Sequence, residues 1–165
     1  FTRTPYNMVW NDYYNHSNEP VHHVAFLFNR LGTPWLTQYW TRQICERAYH
    51  NAVEGLVGNE DVGQMSAWYV LAASGLHPVC PGDTRYEITS PVFDTITFKL
   101  DPAYAKGKNF TVIARNNSPR NVYIQGARLN GKPYPHCYID YKDIVAGGTL
   151  ELDIGDQPDH HWGVE

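Results

Sequence analysis

The chain has 165 residues, 42% apolar and 14% aromatic, enough for one large domain or two small ones and too hydrophobic for a disordered chain. Its formal net charge of -4 carries no long run of one sign, so no basic stripe offers itself to nucleic acid. No apolar run approaches the roughly 20 residues that a membrane span needs.

The sequence opens on Phe1 rather than Met, which reads as a processed chain or an excised piece. A first helix is expected from Asn18-Glu19-Pro20, with Ser17 or Asn18 as its cap and Pro20 in its first turn. Val21, Val24, Ala25, Leu27 and Phe28 supply its apolar face, and Gly32 stops it. A second helix starts at Thr33-Pro34 and runs to about residue 50, with Trp35, Leu36, Tyr39, Trp40, Ile44 and Ala48 at helical spacing. Residues 51–59 read as a loop. The third helix is expected over about 62–74, capped by Asp61 or Asn59. Met65, Ala67, Trp68, Val70, Leu71, Ala72 and Ala73 make it apolar nearly all round, so it should be buried on most sides.

Pro78, Pro81 and Gly82 then mark a hinge, and the pattern changes. Short strands are expected at 86–88, 95–100, 110–114, 122–129, 134–139 and 150–154, with Asn130-Gly131 as a hairpin turn. The fold class is α+β: a helical segment over residues 1–80 and a β-rich subdomain over 81–165, antiparallel and sandwich-like or a partial barrel. Cys45, Cys80 and Cys137 leave at least one thiol free and have no zinc spacing. All three are expected as buried small hydrophobes.

Two acidic motifs, Ser17-Asn18-Glu19-Pro20 and Gly58-Asn59-Glu60-Asp61, sit at the starts of the first and third helices. Helices joined by short loops usually run antiparallel, so the first and third should be parallel and should open on one face. Asn18, Glu19, Glu60 and Asp61 would then lie close together. Carboxylates so placed repel unless something positive sits among them. Helix N-termini supply part of that field, and Ca²⁺, which prefers carboxylate and amide oxygens, could supply the rest. The same cluster could hold an ionised carboxylate as general base beside a water. His22, His23 and Trp68 lie within a turn or two and could shape a sugar pocket. The plainer reading stays open: Asn, Asp and Glu at helix starts are ordinary caps, and the histidines are ordinary surface or core residues.

The motifs themselves reach further. Asn18-Glu19-Pro20-Val21-His22-His23, Gly32-Thr33-Pro34-Trp35 and the run from Gly58-Asn59-Glu60-Asp61 through Gln64-Met65-Ser66-Ala67-Trp68-Tyr69-Val70 resemble glycoside hydrolase family 92 α-mannosidases. So do Gly75-Leu76-His77-Pro78-Val79-Cys80-Pro81-Gly82, Ser90-Pro91-Val92-Phe93-Asp94 and Leu129-Asn130-Gly131-Lys132-Pro133. The resemblance implies the last helices of an (α/α)6 barrel followed by a C-terminal β-rich subdomain. It implies a Ca²⁺-dependent, inverting exo-α-mannosidase of exported, periplasmic or cell-surface location, acting on mannose-containing glycans. Carried over residue by residue, Asp61 stands as the general base, with Glu60 the alternative and Asn59 beside them. Asn18 and Glu19 stand in the calcium-binding segment, where Ser17 replaces a common glycine. The general acid, a glutamate, is expected upstream of Phe1, in the remainder of the parent chain, so the fragment alone should be inactive. Two other readings remain: a carbohydrate-binding or structural β-module, and an (α/α)6 enzyme of another sugar specificity.

Overall fold

The computed structural model describes residues 9–11 and 14–164. Strands β1 (Val9–Asn11) and β2 (Tyr14–Asn15) pair antiparallel ahead of the helices. The expected first helix is broken into 3-10 turns at Glu19–Val21 and Val24–Phe26 and a single α turn, α1 (Leu27–Arg30). The cause is tertiary. The His22 carbonyl accepts the indole N–H of Trp68 at 3.0 Å, and the Phe26 amide turns to the His23 carbonyl instead. The i→i−4 ladder is thereby lost where an α-helix would continue.

Helix α2 (Pro34–Ala48) starts where Thr33-Pro34 predicts. The Thr33 hydroxyl donates back to the Phe28 carbonyl and leaves the helix start uncapped by a side chain. Its innermost face is more polar than its spacing predicts. Thr37, Gln38, Thr41 and Arg42 are buried with Ile44, Cys45 and Ala48, whereas Trp35, Leu36, Tyr39 and Trp40 are half-buried. Those polar groups tie the helix to the strands that follow. Gln38 Oε1 accepts the Ile124 amide at 2.8 Å, and the Thr41 and Thr89 hydroxyls meet. Arg42 donates to Ser90 Oγ, the Pro91 carbonyl and Asn117 Oδ1. Helix α3 (Gln64–Ala73) buries Met65, Trp68, Ala72 and Ala73 but leaves Ala67 and Val70 exposed. It is therefore not buried on most sides: no described residue covers its outer face.

The strands follow: β3 (Leu76–Pro78), β4 (Arg85–Ile88), β5 (Thr95–Lys99), β6 (Asn109–Arg115), β7 (Tyr123–Leu129), β8 (Lys132–Pro133) and β9 (Tyr138–Asp140). A short helix α4 (Tyr141–Val145), which the sequence reading misses, precedes β10 (Gly148–Gly155). Asp140 caps it through the Lys142 amide. One sheet has the order β5-β6-β10-β7-β8 and the other β3-β4-β9. Alternation sets the faces: Phe110, Val112 and Ala114 of β6 and Leu150, Leu152 and Ile154 of β10 point into one core. The sheets are not wholly antiparallel. After β7 and β8 the chain crosses to β9 in the other sheet, and α4 delivers β10 parallel to β6, Gly148 opposite Phe110. The expected strand at 134–139 shortens to Tyr138–Asp140 because Pro135 has no N–H for a ladder.

Asn130 and Gly131 take φ of 51° and 77°, the left-handed pair of a type I′ turn, and close the β7–β8 hairpin as predicted. A second core gathers Phe26, Ile44, Met65, Trp68 and Ala72 around the helices. Cys45 and Cys137 are buried, but Cys80 is exposed, because it lies in the Pro78–Gly82 turn rather than in an element that packs.

Candidate active site

The segment before α3 breaks local rules. Asp61, Val62 and Gly63 all have positive φ, at 50°, 58° and 89°. Only glycine adopts that region freely. Val62 is β-branched and fully exposed, so nothing in its own packing rewards the conformation. The run turns the chain so that Glu60, not Asp61 or Asn59, caps the helix. Its carboxylate accepts the Ser66 amide and the Ser66 hydroxyl, both at 2.9 Å. Both Glu60 oxygens are thus engaged, and the Asp61 carboxyl, unlike its carbonyl, which accepts the Gln64 amide, is left free of the helix. Asn59 is exposed.

Asp61 instead meets Glu19. The two carboxyls lie close enough to perturb one another: Asp61 lowers the Glu19 pKa, and Glu19 raises that of Asp61. Two segments 42 positions apart in the sequence therefore converge, even though the first lies on a 3-10 turn. Glu19 Oε1 is buried and has no hydrogen-bond partner. Asn18 precedes that turn without capping it through its side chain. The Ser17 hydroxyl donates to Asn15 Oδ1 at 2.7 Å. Among the described residues no three His, Cys, Asp or Glu side chains group as a metal site. A cation here would take Glu19 together with oxygen donors of other kinds, and an unsatisfied carboxylate oxygen suits a hard ion such as Ca²⁺.

Beside Glu19 opens a pocket of about 420 Å³, lined among others by His22, His23, Gln64, Trp68 and His77. His23 is exposed, whereas His22 and Trp68 are only 3% and 1% exposed and form its floor. Beneath them lies a residue that the sequence reading missed. His16 is fully buried, its Nδ1 2.8 Å from the Tyr14 hydroxyl and its Nε2 2.8 Å from the Tyr49 hydroxyl. Its ring stacks on His22 with centroids 4.6 Å apart and meets Trp68 edge-on at 4.5 Å. His16 precedes the acidic motif in an irregular turn, where no periodicity marks it. Burial, reinforced by the neighbouring His22, pushes its pKa down to about 3. Burial likewise lowers His22, and takes His77, stacked on Phe26, to about 4. The floor of the pocket is therefore neutral imidazole and indole, and the charge sits at its rim.

Comparison with known proteins places this arrangement in a family context. The family model described as the glycosyl hydrolase family 92 catalytic domain matches residues 2–156. An uncharacterized secreted glycosidase of Arthroderma benhamiae is 34% identical over 146 residues, covering 88% of this chain and 19% of the relative. A family GH92 α-mannosidase from Bacteroides thetaiotaomicron, solved in complex with mannoimidazole, superposes with a TM-score of 0.87 at 41% identity, over 92% of this chain and 20% of that one. A GH92 inverting mannosidase from the same organism gives 0.83 at 39% identity, over 91% and 20%. The chain thus spans about a fifth of the length of these relatives.

Proposed function

This chain belongs to glycosyl hydrolase family 92, and on that premise we propose that it is part of the catalytic region of a calcium-dependent, inverting exo-α-mannosidase acting on terminal mannosides of glycans. The observation that carries the reading is Glu19, which lines a sugar-sized pocket with one oxygen buried and unsatisfied and has the Asp61 carboxyl beside it. A purely binding or structural β-module has no use for such a pair. The solved inverting mannosidase and the mannoimidazole complex among the relatives support the substrate and the stereochemistry.

Asp61 is the general base. Its carboxyl is not tied up in capping α3, whereas that of Glu60 is. Contact with Glu19 raises the Asp61 pKa from its usual value, the direction that makes a carboxylate a stronger base. It takes a proton from a water attacking the anomeric carbon opposite the leaving group. Glu19 is not the acid of this pair. Inverting enzymes hold acid and base about 6.5–9.5 Å apart to admit that water, and two carboxyls that lie side by side leave no such space. By family resemblance the acid is a glutamate in the remainder of the parent chain, and on that reading these 165 residues are inactive alone. Glu19, with Asn18, would hold the calcium ion. When bound, that ion supplies a hard Lewis acid for sugar hydroxyl oxygens. His22, His23 and Trp68 wall the sugar.

Residues 1–80 form the end of an (α/α)6 barrel and residues 81–165 a C-terminal β-rich subdomain. The exposed Ala67 and Val70 on α3 suit a helix whose further neighbours lie elsewhere in the parent enzyme. That enzyme is exported, in keeping with its secreted relative.

The test uses the full-length enzyme and an α-mannoside. Proton NMR should show the β-anomer of mannose first. Chelation should stop turnover, Ca²⁺ should restore it, and Glu19→Ala should abolish calcium binding in calorimetry. Initial release of the α-anomer, or turnover indifferent to chelation, would refute the proposal.

A further inference from the structure

We propose that Gln64 is a sugar-binding residue that reads one ring hydroxyl of the substrate, its amide set in place by the buried tautomer of His22; this rests on the mannosidase reading above. The hydrogen bonds fix that tautomer. His22 Nε2 lies 3.0 Å from the backbone carbonyl of His16, which can only accept, so Nε2 carries the proton. The other ring nitrogen, Nδ1, is then an acceptor, and it lies 3.2 Å from Gln64 Nε2, which donates to it. An unanchored glutamine amide can rotate and exchange its oxygen for its nitrogen. Here the bond to His22 removes that ambiguity.

The consequence lies on the pocket side. Gln64 is exposed and lines the same pocket as Glu19. One amide N–H is spent on His22. The second N–H and the carbonyl Oε1 make no hydrogen bond among the described residues. A fixed donor and a fixed acceptor side by side match a hydroxyl, which can donate to one and accept from the other. The anchor itself is rigid. His22 is stacked on His16 and its carbonyl is held by Trp68, both buried, and His16 is gripped by the hydroxyls of Tyr14 and Tyr49. His22 is thus a positioning residue that acts through Gln64.

The experiment compares wild-type full-length enzyme with Gln64→Ala and with Gln64→Met, which keeps the volume and removes both polar atoms. The substrates are an α-mannoside and its 2-, 3-, 4- and 6-deoxy analogues. Wild-type turnover across the series tests the mannosidase reading, and the variant-to-wild-type ratio tests this one. Both variants should lose about tenfold in kcat/KM on the parent sugar and almost nothing on the single analogue that lacks the hydroxyl read by Gln64. An equal loss on every analogue would mark Gln64 as merely structural, and no loss on the parent sugar would remove it from the site. Nitrogen-15 NMR of the wild type should show His22 protonated at Nε2 and bare at Nδ1. The opposite tautomer would overturn the anchoring.

Discussion

The two halves of the molecule keep their polar groups in different places. In the strand-rich half, the core of Phe110, Val112, Ile124, Ile139, Leu150 and Leu152 is almost wholly apolar, and strand alternation decides which side chains enter it. In the helical half, His16, His22 and His77 are buried among Phe26 and Trp68, and backbone is held in a left-handed run at Asp61, Val62 and Gly63. Local rules are obeyed where only packing is at stake. They are broken around the pocket, where a pair of carboxyls, an unsatisfied oxygen and a fixed amide are presented. Such departures cost stability, and sequences retain them where function requires them.

That contrast can be broken by mutation and by pH. The largest expected effect on stability is in the apolar core. Phe110→Ala should destabilise the fold by about 3–5 kcal/mol, read as a lowered melting temperature, through the cavity left beneath β6 and β10. A loss below about 1 kcal/mol would mean that the strand core is less tightly packed than its burial indicates.

The next effect belongs to the helical half. His16 and His77 have pKa values near 3 and 4 when folded, against 6.5 when exposed. Between those limits the unfolded chain binds more protons than the folded one, so stability is full above about 6.5 and falls as the pH drops, by up to about 1.4 kcal/mol per pH unit for each histidine. Melting temperature followed from neutral pH downward should decline, and the decline should be shallower in His77→Phe. An unchanged slope would show that His77 does not carry the effect.

The smallest effect is at the hairpin. Gly131→Ala places a Cβ at a φ of 77° and should cost about 1–2 kcal/mol, without altering sugar binding.

The same contrast explains what could be read from sequence. Strand positions were legible because a period of two survives tertiary context, and Asn130-Gly131 because its turn chemistry is local. Helix α2 was legible from Thr33-Pro34. The break between Glu19 and Arg30 was not, because it depends on a bond from Trp68, 46 positions away from His22. Nor was the parallel pairing of β6 with β10, which is a matter of path rather than propensity. Helix order alone anticipated that Glu19 and Asp61 would meet. It could not anticipate that Glu60 would be the cap, since that follows from three consecutive left-handed residues. His16 and the Gln64–His22 bond left no periodic trace.

The account turns on this division of labour between adjacent acids. Turnover of Asp61→Asn and Glu60→Gln should be measured side by side in the full-length enzyme. Asp61→Asn should lose about 10²–10⁴-fold with its melting temperature unchanged, while Glu60→Gln, whose amide oxygen can still accept the Ser66 amide, should retain far more activity. The reverse order, with Asp61→Asn the more active of the two, would contradict it.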